Sequence, residues 1–110
     1  MGNLSEKHCV PCKEGALPLK GESLFALYSQ LKEGWKLVEE SRLEKEYPFK
    51  NFQDALLFVN QVGEVAEVEG HHPDIYLSFG KCKLTLWTHK IKGLTESDFV
   101  LAAKCDLLSP

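Results

Sequence analysis

The sequence predicts an α+β domain in which three helices pack on one face of a four-stranded antiparallel sheet. The first observation behind this fold class is that three segments carry apolar residues at helical spacing, whereas four shorter segments alternate or are rich in strand-forming residue types. The second is that the strand segments come in two pairs with short links, and short links join antiparallel strands. The order helix, strand, strand, helix, strand, strand, helix then buries one sheet face under the helices.

The composition limits the classes of protein to which the chain can belong. Its 110 residues suit one domain, and 26% charged with 10% aromatic residues exclude a disordered chain. Thirteen basic and 16 acidic residues give a net charge of −3 with no basic cluster, which argues against direct nucleic-acid binding. No apolar run approaches the roughly 18 residues of a membrane span, so we expect no membrane association.

The first 20 residues differ from the rest of the chain. We expect residues 1–20 to form an N-terminal arm, because they contain prolines and a glycine but no periodic apolar pattern, and residues 21–110 to form the domain. The arm lacks the basic start and apolar stretch of a signal peptide. We interpret the four cysteines as reduced thiols and expect a cytoplasmic protein, with a nuclear or organellar location left open.

The first helix and first strand pair follow this arm. An amphipathic stripe predicts a helix that we expect to end at Gly34, since glycine commonly follows a helix. The stripe consists of Leu24, Leu27, Tyr28 and Leu31. Strands are predicted over Trp35–Glu39 and Leu43–Phe49, and alternate residues of the second strand share an apolar face.

The second helix has the longest periodic pattern. Asn51 is a good N-cap residue, and Gly70 is expected to end the helix. The predicted apolar stripe comprises Phe52, Ala55, Leu56, Val59, Val62, Gly63 and Ala66. A hairpin of two strands, Ile75–Phe79 and Lys81–His89, is expected to follow.

The third helix is predicted from a local start signal. Thr95 is the expected N-cap residue and Asp98 lies three positions later, as in a capping box. Leu94 and Phe99 form the flanking hydrophobic staple, and the helix is expected to run close to Leu108.

The end of the second helix carries an unusual concentration of ionisable residues. Glu64, Glu67 and Glu69 crowd its negative end, where the helix dipole disfavours carboxylates. A broken local rule of this kind is typical of a functional or strained site, although solvated charges are the ordinary interpretation for Glu64 and Glu69. Glu67 borders the apolar stripe and is nearest in phase to His71, which makes it the strongest candidate of the three.

Histidines directly follow these glutamates. His71 and His72 are adjacent and should project to opposite sides, because Pro73 favours extended backbone at the residue before it. His89 lies at the end of the fourth predicted strand on its more polar face. Incidental polar histidines are the ordinary alternative, but imidazoles serve as acid or base at neutral pH, and they would do so here without a cofactor.

Metal binding is the other interpretation of these residue types. A zinc site of the three-histidine type is disfavoured, because neighbours in sequence rarely bind one metal together and no pair of histidines is four residues apart. Cys9 and Cys12, with His8 beside them, form at most half a zinc site, and their place in an arm disfavours a redox role. We therefore expect incidental thiols, no metal and no cofactor.

These residues form one arrangement along the chain: Glu67-x-x-x-His71-His72-Pro73, then His89, then Gly93-Leu94-Thr95-x-x-Asp98. This arrangement resembles that of a known family, the pterin-4a-carbinolamine dehydratases. The similarity covers about residues 21–108 and extends to the second strand and the central helix. It implies the same order of helices and strands as the periodicity does.

The resemblance also implies a reaction and a site. The reaction is dehydration of 4a-hydroxytetrahydropterin to quinonoid dihydropterin, which restores the pterin after aromatic amino-acid hydroxylation. The implied catalytic residues are His71, His72 and His89, and we expect His72 to orient substrate more than it transfers protons. The implied substrate-binding residues are Glu67, Pro73, Trp87, Thr88 and Asp98. Where many members have an aromatic residue this chain has Ile75, so Trp87 is the candidate for an aromatic wall.

The family also implies partners. Some members stabilise dimers of a transcription factor and others assist assembly of a carboxylase, so the alternative function is a protein-interaction module on the same fold. We expect a homodimer or homotetramer, and an aromatic amino-acid hydroxylase is a possible pathway partner.

Overall fold

The computed structural model describes residues 4–10 and 16–109 and has the predicted α+β architecture. The helices are α1 (Gly21–Tyr28), α2 (Phe52–Glu69) and α3 (Glu96–Leu108), and the strands are β1 (Lys36–Val38), β2 (Arg42–Pro48), β3 (Asp74–Ser78) and β4 (Lys81–Leu86). The strands form one antiparallel sheet in the order β1-β2-β4-β3. Within the described residues, no helix is long and apolar enough to cross a membrane.

The two central strands carry the sheet's half of the core. In β4 every second residue is buried, and the pairing of Leu43 with Leu86 and of Tyr47 with Cys82 brings the buried residues of β2 to the same face. The alternate positions carry cross-strand ion pairs such as Lys83 with Glu44, at 3.5 Å. The predicted alternation of β2 and β4 is therefore confirmed.

Local signals set both ends of α2. The side chain of Asn51 accepts a hydrogen bond from the Asp54 backbone N–H at 2.8 Å, and Gly70 ends the helix at a φ of 66°. That positive φ favours glycine, so the predicted helix end is confirmed.

The predicted apolar stripe of α2 is partly wrong. Phe52 and Leu56 are 45% and 39% exposed, whereas Phe58, which the stripe omitted, is 2% exposed. The ring of Phe58 lies against Tyr47 and Phe49, with ring centroids 4.6 and 5.3 Å apart. This aromatic contact turns the buried face of the helix away from Phe52 and Leu56.

Two other predicted ends are wrong because distant contacts decide them. Helix α1 ends at Tyr28 instead of Gly34, since the Tyr28 hydroxyl donates to the backbone carbonyl of Trp35 and the chain turns back in between. Strand β4 ends at Leu86 instead of His89, because Thr88 leaves the sheet to pair with Gly93, its N–H donating to the Gly93 carbonyl at 2.8 Å.

The start of α3 is as predicted and lies beside these diverted residues. Thr95 is the N-cap residue, and Asp98 Oδ2 accepts the Thr95 backbone N–H at 3.0 Å. Leu94 and Phe99 are fully buried around this turn. The helix ends at Leu108, as predicted.

The described start of the chain packs on α3. Residues 4–10, which we call the N-terminal strap, begin with a short 3₁₀ turn in which Leu4 is only 3% exposed. The Lys104 ammonium donates to the Ser5 carbonyl at 2.9 Å.

Candidate active site

His71 is the histidine whose position the structure fixes most firmly. It follows Gly70, its backbone N–H donates to the Ala66 carbonyl at 3.2 Å, and its side chain is 15% exposed. The imidazole Nε2 lies 2.6 Å from Oδ1 of Asp98, whose side chain is fully buried at the start of α3. The two residues are 27 positions apart in sequence, so the contact joins the end of α2 to the start of α3.

The contacts of Asp98 determine which nitrogen of His71 carries a proton. Asp98 Oδ2 already accepts the Thr88 hydroxyl at 2.7 Å and the Thr95 N–H at 3.0 Å. A carboxylate can only accept, so Nε2 of His71 donates to Oδ1. When the imidazole is neutral, Nδ1 is then the nitrogen that can take a proton from, or return it to, a bound molecule.

The Thr88 hydroxyl holds Asp98 from the other side. Its single proton goes to Asp98, so the Thr95 hydroxyl, 3.1 Å away, donates to Thr88. Thr88 is 6% exposed, and its side chain orients the carboxylate. The capping role and the contact with His71 coexist in Asp98.

His72 has a different partner from His71 and is more exposed. Its Nε2 is 3.6 Å from Oε1 of Glu67, and both side chains are mostly exposed. Both residues line an open groove of about 770 Å³ between α2 and β3, together with Pro73 and Ile75. The adjacent histidines thus contact different elements, His71 the start of α3 and His72 the last part of α2.

His89 belongs to a third, more exposed group. Its Nε2 is 3.8 Å from Oδ2 of Asp74, and the same oxygen accepts the Trp87 indole N–H at 3.1 Å. The Trp87 ring stands edge-on to the His89 ring, with centroids 4.2 Å apart, and the Arg42 guanidinium carbon lies 4.6 Å from the Trp87 ring centre. Trp87 is thus covered on one face by a cation.

The three histidine groups adjoin one another through the backbone. His71 and His72 are neighbours, and His89 follows Thr88, which contacts the same carboxylate as His71. Asp74, which contacts both Trp87 and His89, follows Pro73. All the predicted site residues therefore lie around the end of α2, the start of α3 and the adjacent end of the sheet.

Some residues at this end were not predicted from the sequence. Asp74 and Arg42 had no local signal, because only the sheet register places them next to β4. Glu69 was interpreted as a solvated charge, but its side chain is 5% exposed. The Cys9 N–H, followed by His8 and Lys104, lowers the pKa of Glu69 below 4.5, although burial opposes the shift.

The described residues give little support for a reactive thiol or a metal site. Burial raises the pKa of Cys9 and Cys82 to about 11 and that of Cys105 to about 12, so these thiols are protonated at neutral pH. No group of three His, Cys, Asp or Glu side chains within residues 4–10 and 16–109 is arranged to hold a metal ion. Cys12, the second cysteine of the predicted pair, lies outside the described residues.

Comparison with known sequences identifies one family. Its sequence profile, described as "Pterin 4 alpha carbinolamine dehydratase", matches residues 18–108. A protein of Rubrobacter xylanophilus is 56% identical over 108 residues, which are 98% of this chain and 100% of that protein. A protein of Alkaliphilus metalliredigens is 55% identical over 106 residues, 96% of each chain. Both are provisionally named pterin-4-alpha-carbinolamine dehydratases.

Solved structures extend the likeness to the fold. The crystal structure of a transcriptional coactivator/pterin dehydratase from Brucella melitensis has a TM-score of 0.77 at 28% identity, covering 84% of this chain and 99% of that one. A pterin dehydratase-like RuBisCO assembly factor of the alpha-carboxysome has a TM-score of 0.61 at 21% identity, covering 72% and 96%, and shares the fold.

The fold, the range that the family profile matches and the sequence identity to the relatives assign the chain to the class of pterin dehydratases, which are lyases. The chain belongs to the pterin-4-alpha-carbinolamine dehydratase family.

Proposed function

We propose that this protein dehydrates 4a-hydroxytetrahydropterin to quinonoid dihydropterin and water, with His71, His72 and His89 forming the site. The single observation that carries the proposal is the imidazole of His71 held at 2.6 Å by a fully buried carboxylate, next to two more exposed histidines. A fixed imidazole beside accessible ones suits a reaction that needs both an acid and a base.

The reaction requires two proton movements and no change of oxidation state. A proton is delivered to the C4a hydroxyl oxygen, and the C4a–O bond breaks to release water. The proton on N5 is removed, and the electron pair left on nitrogen forms the C4a=N5 double bond. A histidine that gives up one proton and a histidine that gains the other complete the balance.

The histidines differ in what they can do. His71 has Nδ1 available while its Nε2 is held by the buried Asp98 carboxylate, so it suits proton transfer. His89, exposed and close to Asp74, suits the second transfer. His72, beside Glu67 on the groove, suits substrate binding, with Pro73 as a neighbouring apolar surface. Trp87, whose ring contacts His89, is the aromatic wall.

The product is an oxidised pterin, so a reduction step must follow it for the pterin to be used again. This protein accordingly acts in the recycling of a pterin after aromatic amino-acid hydroxylation. Its proposed location is the cytoplasm. The protein also associates into a homodimer or homotetramer. Exposed apolar side chains support this association. The most exposed of these on α2, β3 and α3 are Leu57, Val68, Tyr76 and Leu107.

An interaction module is the second candidate function. The specific observation in its favour is that the Brucella melitensis structure is described as a coactivator as well as a pterin dehydratase. A protein partner would use an exposed face and need not compete with turnover.

Turnover of chemically generated pterin carbinolamine tests the proposal. We expect acceleration over the reaction in buffer, and no loss of rate after treatment with a strong chelator. A protein that folds but does not accelerate the reaction would leave the interaction module as the better function. Turnover abolished by removal of a stoichiometric metal ion would refute proton transfer by histidines alone.

A further inference from the structure

The N-terminal strap joins the same two segments of the chain as the contact between His71 and Asp98. The C-terminal end of the strap is bound by Glu69, the last residue of α2, whose Oε1 accepts the Cys9 N–H at 2.7 Å. The next residue, Val10, is bound by Ser97, in the first turn of α3. Glu69 lies two residues before His71, and Ser97 lies directly before Asp98.

The contacts of the strap are numerous and partly buried. The Ser97 hydroxyl accepts the Val10 N–H at 2.8 Å and donates to the Val10 carbonyl at 3.1 Å, and the Cys9 thiol lies 3.4 Å from the Ser97 carbonyl. His8 Nδ1 is 3.1 Å from Glu69 Oε2. Each such hydrogen bond contributes about 0.5–1.5 kcal/mol to the free energy of unfolding.

Glu69 lies where an isolated helix would disfavour it. A carboxylate at a helix C-terminus meets the negative end of the dipole, and this one is almost fully buried. Compensation comes from the strap N–H and from the Lys104 ammonium, 3.7 Å away, which also binds the Ser5 carbonyl. Because the strap satisfies this carboxylate, it fixes the last turn of α2, from which the chain passes through Gly70 to His71.

We propose that the N-terminal strap positions the His71–Asp98 pair, with Glu69 and Ser97 as the positioning residues. The strap lies entirely outside residues 18–108, which the family profile covers. It acts as a second connection between α2 and α3, parallel to the imidazole–carboxylate hydrogen bond. Loss of the strap lets the two helix ends separate, and the 2.6 Å contact is the one that lengthens first.

This inference rests on the proposed function for its effect on turnover, but its structural content can be measured without substrate. The probe is the imidazole Nε2–H proton of His71, observed by NMR in protein labelled with ¹⁵N-histidine and assigned by its loss in His71→Ala. Its hydrogen bond to a buried carboxylate protects it from exchange with water. Reactivity of Cys9 towards an alkylating reagent, read by peptide mass spectrometry, reports whether the strap is bound.

The test variants remove the two anchors separately. In Ser97→Ala and in Glu69→Ala we expect the His71 proton to exchange about three- to tenfold faster, as loss of one or two hydrogen bonds implies. We also expect faster alkylation of Cys9, a lower kcat and an unchanged KM. Matched controls are Ser23→Ala, at the exposed start of α1, and Glu33→Ala, in the exposed loop before β1. Both controls should behave like the parent.

Two outcomes overturn the proposal. One is a variant in which Cys9 becomes reactive while the His71 proton exchanges at the parental rate, which would mean that the strap is released without consequence for the pair. The other is a folded double variant, Ser97→Ala with Glu69→Ala, that matches the parent in exchange and kcat. A parent protein without turnover would refute the proposed function and leave the exchange measurement valid.

Discussion

At the scale of single residues, buried carboxylates organise this molecule, and they do so through hydrogen bonds to distant positions. Asp98 joins the end of α2 to the start of α3, and Asp106 joins β2 to the C-terminal part of α3. The sequence identified Asp98 by its capping position and by family resemblance. Asp106 gave no signal, because its three partners lie 59 to 71 residues away.

The histidines lead to the first prediction. Replacement of His71 or His89 by alanine should lower kcat by about 10²–10⁴, or about 3–5 kcal/mol of barrier, if each carries a full acid or base role. His72→Ala should mainly raise KM. Steady-state kinetics on the carbinolamine measures both effects, with circular dichroism as the control for folding.

The losses could be smaller where a second imidazole substitutes, so the double variant of His71 and His89 should lose more than either single one. If both single variants fold and turn over like the parent, the histidines are not the catalysts.

Asp106 leads to a stability prediction. Its carboxylate accepts the Trp35 indole N–H at 2.9 Å, the Lys45 ammonium at 2.7 Å and the Tyr47 hydroxyl at 2.6 Å. Burial, followed by the hydrogen bond to Asp106, raises the pKa of Tyr47 well above its usual value, so the hydroxyl remains a donor. Asp106→Ala leaves three polar groups unpaired and should cost about 2–4 kcal/mol of unfolding free energy in urea denaturation. Asp106→Asn, which keeps one acceptor oxygen, should cost less; equal stability of Asp106→Ala and the parent would contradict the prediction.

At the scale of helices and strands, the sequence predicts best where an element is ended by its own residues. Asn51, Gly70 and Thr95 set helix ends locally, and all three predictions are confirmed. Helix α1 and strand β4 end where Trp35 and Gly93 draw the chain away, and no local pattern encodes such contacts. The candidate site has the same limit, because His71 and Asp98 meet only once the helices have packed.

The hairpin between β1 and β2 contains a local strain that the sequence did not indicate. Glu39 and Glu40 both have positive φ, 50° and 53°, as in the tight turn for which asparagine and glycine are preferred. Glu40→Gly should therefore raise the unfolding free energy by about 0.5–1 kcal/mol, because glycine adopts the left-handed backbone conformation without the strain that a side chain causes there.

Thermal unfolding measures this gain. The matched control is Glu33→Gly in the preceding loop, where φ is not positive, and that variant should be neutral or less stable. A Glu40→Gly protein less stable than Glu33→Gly would refute the assignment of strain.

At the scale of the whole molecule, the strap makes stability depend on pH. The pKa of Glu69 is lowered in the folded protein, so its contribution is present above the unfolded value near 4.5 and is lost as the pH falls through the folded value. The destabilisation caused by Glu69→Gln should accordingly be largest near neutral pH and shrink below pH 4.5. Denaturation of both proteins across this range tests it; a difference that grows towards acid would have the wrong sign.

Association is the other prediction at this scale. Apolar side chains remain exposed on α2 and on the edge strand β3, such as Leu57, which is 58% exposed, and Tyr76, which is 59% exposed. We expect light scattering to report a dimer or tetramer at micromolar concentration. A single species of 12.4 kDa would contradict this.

The contact between Trp87 and His89 provides a natural optical reporter. The chain has only two tryptophans, and Trp35 is 4% exposed within the core, so its emission should be insensitive to events at the surface. The Trp87 ring lies against an imidazole and beneath a guanidinium, both of which a ligand near His89 would disturb. The intrinsic fluorescence of the unlabelled protein should therefore follow ligand binding directly, and Trp87→Phe should abolish the signal while leaving the emission of Trp35 unchanged.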